Sequence, residues 1–409
     1  MTRLPVLWLA AAIVACAAPP SARATESPYV GPTSSQSPLV TTTPEPTPAR
    51  TPDVVAIPAI ARNDLTAHIR VLRRGWRPPG RTLVVAAAED ARITLIAIPI
   101  APGGDPVPFL ELTETSGWQL RSDGAALVAA FTNGSYGSSR IATVDVSSGA
   151  ARWVTPDDSD IYEVSPIWSP DGNGIYYSEQ ATGPVTYGDR GIFRISADGS
   201  NRVQVHGPDR NGGSLVGVTS DGQWLSWTRG QAGGSTDVLN LATGVNKTFE
   251  IAGSSGEIAW RTARPRALVM SSGCCAGIPS GELLLWDDLT GATTRLIAYD
   301  ARPWVFAGIA DWDPTGMRIV AAVRDRAELE RSPRTVPTLV AIFDASGVFR
   351  AVVPGLQGTL LAWLPEGILV MRYAPDGMFE LVLSTESGGS QVLYRTTAST
   401  RGLPVIVSP

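Results

Sequence analysis

The stretch that decides the fold is Trp168-Ser169-Pro170-Asp171-Gly172, which stands directly before the apolar run Ile175-Tyr176-Tyr177. Proline presets φ for a turn, aspartate can bond back to the turn backbone, and glycine takes the positive φ that a tight turn needs. The aromatic residue at its head can pack between adjacent sheets. We therefore predict a tight turn that leads into a β-strand.

The same turn recurs along the chain. Its seven copies are Trp76–Gly80, Leu120–Gly124, Trp168–Gly172, Val218–Gly222, Trp260–Arg264, Trp312–Gly316 and Trp363–Gly367. Their last positions are about 48 residues apart on average, close to the length of a four-stranded propeller blade. Within each unit we expect one strand after the turn, a second after a variable loop and a third after a Gly-containing turn. The fourth strand is predicted to be the apolar run before the next copy, such as Leu360–Trp363.

These repeats resemble those of TolB-like and WD40-like β-propellers, in which a Trp-Ser-Pro-Asp-Gly turn joins successive strands of a blade. Residues 168–172 match that turn letter for letter, and the resemblance extends from about Ala67 to the C-terminus. It implies an all-β fold in which residues 59–409 form a propeller of four-stranded blades. Seven copies favour seven blades; six follow if Trp76–Gly80 only leads into the first strand. Propellers host unrelated activities, so the resemblance says little about function.

Composition agrees with this fold and narrows the partners. The chain contains 41 Gly and 33 Pro, which punctuate short apolar runs and argue against long helices. Its net charge is −5, and Lys247 is the single lysine. A chain without a polybasic character is not expected to bind nucleic acid.

The N-terminus indicates export. Residues 1–15 have the pattern of a signal peptide, with Arg3 before an apolar stretch too short to span a bilayer. Ile13-Val14-Ala15-Cys16 resembles a bacterial lipobox, which implies that Cys16 becomes a lipid-carrying N-terminus. Cleavage after Ala24 is the alternative. Residues 16–58, rich in Ser, Thr and Pro, are predicted to be a disordered tether. The expected location is therefore the bacterial membrane, lipid-anchored, facing the periplasm or the exterior.

The two remaining cysteines, Cys274 and Cys275, are adjacent. In an oxidising compartment such a pair can form a vicinal disulfide, which would stiffen its loop into a small apolar surface. The ring is strained, because adjacent Cα atoms are closer than a relaxed disulfide prefers. Two reduced or buried thiols are the alternative.

Catalytic and metal-binding motifs are not evident. The two histidines, His68 and His206, are too few for most triads or metal clusters, and no nucleophile elbow or phosphate-binding loop is present. The acidic residues Asp157, Asp158, Asp160 and Glu163 favour a solvated loop over a Ca²⁺ site. We therefore predict no enzyme activity, no cofactor and no metal.

Binding is expected on the loops of one face, because binding residues concentrate on loops held by a rigid scaffold. Besides the cysteine pair, the candidate residues are Asn133, Tyr136, Tyr187, Asp189, Arg324, Asp325 and Arg326. The favoured function is a monomeric binding or scaffolding module for a protein or glycan of the cell envelope. A hydrolase or lyase with a carboxylate-lined central channel, and a structural envelope component, are the alternatives.

The anchor can be tested by palmitate labelling in growing cells. Labelling should be lost in Cys16→Ser, since the lipid is attached through that sulfur. Cys274→Ser is the matched control and should keep its label. Unchanged labelling of Cys16→Ser would rule out Cys16 as the lipid site.

Overall fold

The computed structural model describes residues 65–408, except 90, 102–103, 133–137, 159, 182–187, 209–212, 230–234, 251–253, 261–265, 273–280, 299–301, 333–335, 398 and 401–404. The chain divides into two units, Met1–Thr51 and Pro52–Pro409, and every described residue belongs to the second. The predicted signal peptide, the predicted lipid site Cys16 and the predicted tether (16–58) thus lie outside the described residues.

The described part of the chain is almost entirely β-structure. A 3₁₀ helix, Leu65–Ala67, comes first, and one short α-helix, α1 (Arg326–Arg331), follows β22. The strands are β1 (Ile69–Val71), β2 (Thr82–Glu89), β3 (Arg92–Pro99), β4 (Val107–Thr113), β5 (Thr115–Leu120), β6 (Ala126–Thr132), β7 (Ser139–Asp145), β8 (Ala151–Trp153), β9 (Ile161–Trp168), β10 (Gly174–Ala181), β11 (Gly188–Ser196), β12 (Val203–His206), β13 (Gly213–Val218), β14 (Trp224–Arg229), β15 (Ser235–Asn240), β16 (Asn246–Glu250), β17 (Ser254–Trp260), β18 (Arg266–Ser272), β19 (Leu283–Asp287), β20 (Thr293–Ile297), β21 (Trp304–Trp312), β22 (Arg318–Asp325), β23 (Leu339–Asp344), β24 (Phe349–Gln357), β25 (Thr359–Leu364), β26 (Gly367–Tyr373), β27 (Phe379–Ser384), β28 (Ser390–Thr396), β29 (Ser399–Thr400) and β30 (Val405–Val407).

The strands form antiparallel sheets of consecutive strands. Four sheets have four strands each: β13–β16, β17–β20, β21–β24 and β25–β28. The first sheet has the order β1-β4-β3-β2, and both β29 and β30 pair with β2. The remaining sheet has eight strands and contains β5–β8 and β9–β12. All-β architecture with four-stranded blades is thereby confirmed.

The predicted number of separate blades is wrong. The strands form six sheets, whereas the prediction was seven separate blades. Five of the sheets contain one set of four consecutive strands each, and the remaining sheet contains two such sets. The join is one parallel bridge between Ser139 of β7 and Tyr162 of β9. A prediction from repeat spacing could not foresee it, because it depends on where two neighbouring strands meet in space.

The predicted turn has the geometry that its residues require. Gly172 has φ +67°, and its N–H donates to the carbonyl of Ser169 at 2.8 Å. The Asp171 carboxylate accepts from the N–H of Asn173 at 3.1 Å, which holds the chain as it enters β10. The copies that end at Gly222 and Gly316 share this geometry, with φ of +71° and +65°. The strand before each turn and the strand after it pair with one another.

This pairing corrects two details of the sequence interpretation. Leu360–Trp363 belongs to β25 and pairs with β26, so the apolar run before a turn is the first strand of its own sheet, not the fourth of the preceding one. The first copy, Trp76–Gly80, does not join two paired strands, because β1 and β2 are separated by β4 and β3 in the first sheet. It leads from β1 into β2, and the place beside β2 is taken by β29 and β30 from the C-terminus.

The hydrophobic core consists of seven clusters in the described residues, each between neighbouring sets of strands. One contains Val128 of β6, Ile141 of β7 and Val154, which follows β8. These residues pack against Trp168 of β9 and Tyr177 of β10. Another joins β2 and β3 of the first sheet to β25–β27 of the last, and so closes the ring. The first strands contact one another in order from β5 through β9, β13, β17 and β21 to β25, and β30 contacts β5. Stacked sheets around a ring of inner strands are the architecture of a β-propeller.

Antiparallel pairing places the connections on two opposite faces. One face, here called the turn face, carries the Gly-containing turns, such as 169–173. The other, the loop face, carries the loops between second and third strands and those between sets, such as 154–160 and α1. Among the described residues, no helix is long and apolar enough to cross a membrane.

Closure by β30 gives a stability prediction. Val407 is fully buried against the first two sets of strands, so Val407→Ala should lower the free energy of unfolding by about 1–3 kcal/mol. Val348→Ala is the control: Val348 is 53% exposed in a turn, and its loss should cost about 0.5 kcal/mol or less. Urea unfolding of both variants measures the difference. Equal effects would contradict a closing role for β30.

Candidate functional site

The most unusual polar group lies between β5–β8 and β9–β12, towards the loop face. It continues the apolar cluster of that interface and is here called the interblade polar cluster. Its members are Arg140, Thr155, Glu163, Tyr177, Ser178, Glu179 and Arg202. Strand register explains how it forms: Glu163 of β9 stands opposite Glu179 of β10, and Tyr177 shares a face with Glu179 because side chains alternate along a strand.

Glu163 is a buried carboxyl group that bridges the two sets of strands. It is 3% exposed and accepts a hydrogen bond from the Ile141 N–H at 3.0 Å and another from the Thr155 hydroxyl. Burial raises the pKa of Glu163 to about 8, and the nearby Glu179 carboxylate adds to the rise. The side chain is therefore mainly protonated at neutral pH.

This placement corrects the sequence interpretation of the acidic segment. Glu163 was predicted to lie in a solvated loop with Asp157, Asp158 and Asp160, whereas it is part of β9 and faces a protein interface. Asp157 and Asp160 are exposed as predicted. Among the described residues, no group of three or more His, Cys, Asp or Glu side chains could hold a metal ion.

Glu179, in contrast, is compensated by cations. It is 1% exposed and forms an ion pair with Arg202, and the Arg190 guanidinium lies 3.9 Å away. Arg202 also donates to the Tyr177 hydroxyl at 2.9 Å and lies over the ring of Phe193 at 4.1 Å. The two opposed carboxyl groups therefore meet different surroundings.

Arg140 brings a cation to the other side of the interface. Its guanidinium lies 4.4 Å from the ring centroid of Trp153, donates to the Thr155 carbonyl at 3.0 Å, and approaches the Asp157 carboxylate at 3.6 Å. Burial lowers the pKa of Arg140, and the charges of Asp157 and Glu163 oppose that change.

The cluster leaves hydrogen-bonding capacity unused. Four of its buried atoms have no hydrogen-bond partner: Nε and Nη1 of Arg140, Oγ of Ser178 and Oε2 of Glu179. Buried polar atoms normally have partners, supplied by protein, water or ligand. Donors and acceptors lie together here directly beneath the loop face, a combination suited to holding a polar group.

The residues predicted from sequence do not gather into one described site. Asn133, Tyr136, Tyr187, Cys274 and Cys275 lie outside the described residues.

The other candidates have structural partners near the loop face. Asp189 accepts from the Gly191 N–H at 3.0 Å, and Asp325 caps α1 by accepting from the Glu328 N–H at 2.9 Å. Arg326 pairs with Glu330 at 2.9 Å, and Arg324 donates to the Thr338 hydroxyl at 3.1 Å.

The sequence contained one signal for the cluster. Glu179 follows Ile175-Tyr176-Tyr177-Ser178 in a run that is otherwise suited to a buried strand, and a charge there requires a partner. The partner could not be identified, because Arg202 reaches it only through the pairing of β10, β11 and β12.

Comparison with known proteins identifies the fold and no family. No family model and no curated protein matches the chain. A structure from a study of two prolyl endopeptidases matches with a TM-score of 0.54 at 15% identity, covering 78% of this chain and 50% of that one. Prolyl oligopeptidase B from Galerina marginata matches with a TM-score of 0.51 at 11% identity, covering 81% and 52%. An oligogalacturonate lyase in complex with manganese matches with a TM-score of 0.45 at 12% identity.

The two prolyl peptidase structures support the propeller fold alone, because the identities are 15% and 11%. The chain spans about half the length of the two prolyl peptidase structures. Their activities are statements about those proteins.

The raised pKa of Glu163 predicts how stability depends on pH. The folded state holds this proton more tightly than the unfolded chain. Binding of this proton therefore stabilises the folded state. The effect is complete below the ordinary pKa of 4.5 and is lost as pH rises towards 8. Glu163→Gln should remove this loss, and its advantage in unfolding free energy over the wild type should grow by on the order of a few kcal/mol between about pH 5 and 9.

Asp311→Asn provides the matched control. Burial raises the pKa of Asp311 to about 6, so this variant should differ in pH dependence from the wild type only below about pH 7. Urea unfolding at pH 5, 7 and 9 separates the two. A Glu163→Gln curve parallel to the wild type across this range would show that Glu163 ionises normally.

Proposed function

We propose that this protein is an exported, lipid-tethered β-propeller that binds a protein or glycan of the cell envelope through its loop face. The interblade polar cluster supports the proposal, because its ion pairs and hydrogen bonds fix the two sets of strands on which the loops of that face stand. Rigid stacking of the sheets holds the loops above it, the arrangement in which loops commonly bind ligands.

A binding role is better supported than acid–base catalysis. A protonated carboxyl beside an ionised one is the pairing that hydrolases and lyases use. Here, however, Glu163 and Glu179 are 3% and 1% exposed, and they face a neighbouring set of strands rather than a channel. A substrate would have to separate two packed sheets to reach them. The possible vicinal disulfide of Cys274 and Cys275 remains a prediction that would add a stiff loop to the same face.

Photo-crosslinking in living cells tests the loop face. A photo-crosslinking amino acid in place of Arg190, which is 47% exposed near that face, should give a discrete high-mass adduct. The same amino acid in place of Gln223, exposed in a turn of the opposite face, is the control and should give none. No adduct at position 190, or equal adducts at both, would count against the proposal.

A further inference from the structure

We infer that the turn face of the first sheet and β5–β8, as far as the neighbouring turns of β9–β12, is a binding site for an acidic glycan, a site separate from the proposed loop-face function. Two adjacent concavities of about 580 and 410 Å³ lie there and share Arg77. Five arginines are among their described lining residues: Arg73, Arg74, Arg77, Arg121 and Arg152. We call this surface the arginine groove.

The groove is positive although the chain carries a net charge of −5. Asp145 is the one acidic residue among the described lining. Its carboxylate accepts hydrogen bonds within its own turn, from the Ser147 hydroxyl at 2.7 Å and the Ser148 N–H at 2.8 Å. Arg121 forms an ion pair with Asp123 at 2.8 Å, whereas no described carboxylate lies within ion-pair distance of Arg73, Arg74 or Arg77. These three arginines are exposed; Arg77 also donates to the Trp76 carbonyl at 3.4 Å, and its charge helps to lower the pKa of Asp145.

The arginines stand on an ordered segment. Trp76 is buried and stacks on Phe109 with ring centroids 4.0 Å apart. The N–H groups of Leu72 and Arg73 donate to the Phe109 carbonyl, and that of Gly75 donates to the Ser147 carbonyl at 2.8 Å. Four contacts thus hold the backbone that carries Arg73, Arg74 and Arg77. A site prepared in this way loses less entropy on binding than a basic tail would.

The shape and lining indicate the kind of anion. Guanidinium forks match carboxylate and phosphate oxygens, and two linked concavities fit a ligand with repeated anionic groups. The part of the floor nearest Arg121 and Arg152 is formed by small residues, including Ala126, Ala150 and Ala197, which leave room for a flat ring.

Two other polyanions fit less well. Both lining tryptophans, Trp76 and Trp168, are 6% exposed, so the described lining offers no aromatic platform for nucleic-acid bases. It offers no deep apolar pocket for a peptide anchor either. A polymer of acidic sugars is recognised through its charges and hydroxyl groups, which is what the groove supplies.

The test measures binding of the full chain, purified in a non-ionic detergent, to alginate as the carboxylated glycan, with neutral dextran as the ligand control. At low salt the wild type should bind alginate and not dextran, with affinity falling as salt rises. The variant Arg73→Gln/Arg74→Gln/Arg77→Gln should bind about tenfold or more weakly, since charge-assisted hydrogen bonds are lost. Ala150→Glu, which adds a carboxylate at an exposed lining position, should also weaken binding.

The matched control is Arg302→Gln/Arg331→Gln/Arg350→Gln, which removes the same charge from exposed positions outside the groove and should retain affinity. Thermal unfolding verifies that every variant is folded. Equal losses in the two triple variants would overturn the site, as would failure of the wild type to bind alginate. Binding of single-stranded DNA or polyglutamate as tightly as alginate would overturn the assignment to a glycan. None of these outcomes bears on crosslinking at position 190.

Discussion

The whole structure depends on the closure of a ring of strand sets that cannot bury their apolar faces alone. Each cluster of the core takes residues from two neighbouring sets, so an open end would expose a complete apolar face. The chain avoids this by returning β29 and β30 to β2, where they take the place that the first strand holds in the later sheets. The last sheet then packs against the first. Local turns and distant ends are thus parts of one cooperative unit.

The same stacking creates the chemistry of the interblade polar cluster. An interface that is apolar over most of its area becomes polar towards the loop face, and two carboxyl groups are carried into it by the register of β9 and β10. One is compensated by arginines, while the other keeps its proton because burial disfavours its charge. An interface built in this way is specified by hydrogen bonds as well as by packing, and it supports the loops above it.

A related device joins other neighbouring sets. The Asp311 carboxylate accepts from the backbone N–H of Trp363 at 2.9 Å, across the boundary between two sheets. Gln119, like Asp311, stands one residue before the head of its turn, and Trp168, like Trp363, is the head of the next turn. The indole N–H of Trp168 donates to the backbone carbonyl of Gln119 at 3.2 Å. The head aromatic therefore positions one sheet on the next as well as filling space. This explains why a turn motif can carry information about the stacking of whole sheets.

The two faces differ because the connections between strands are short on the turn face and longer on the loop face. The turn face is made of short, tightly bonded turns, so the backbone that carries exposed side chains such as those of Arg73 and Arg77 is held in place. The loop face has longer connections and one helix, and its described polar residues serve mainly to order those connections. Charge on the first face and buried polar capacity beneath the second give the molecule two surfaces of distinct character.

Local chemistry accounts for what the sequence by itself determined. The recurring turn predicted a strand before it and a strand after it. Its proline, aspartate and glycine form a tight turn whose hydrogen bonds are all made within five or six residues. Repetition at a blade-sized interval then predicted the all-β propeller. Tertiary structure alone decided the remainder. A single bridge at Ser139 joins two sets of strands in one sheet, and the C-terminal strands complete the first sheet. Glu163 lies in a buried interface and not in the predicted acidic loop. Each of these depends on contacts between residues distant in sequence, and no residue type or spacing records which distant strand will be the neighbour.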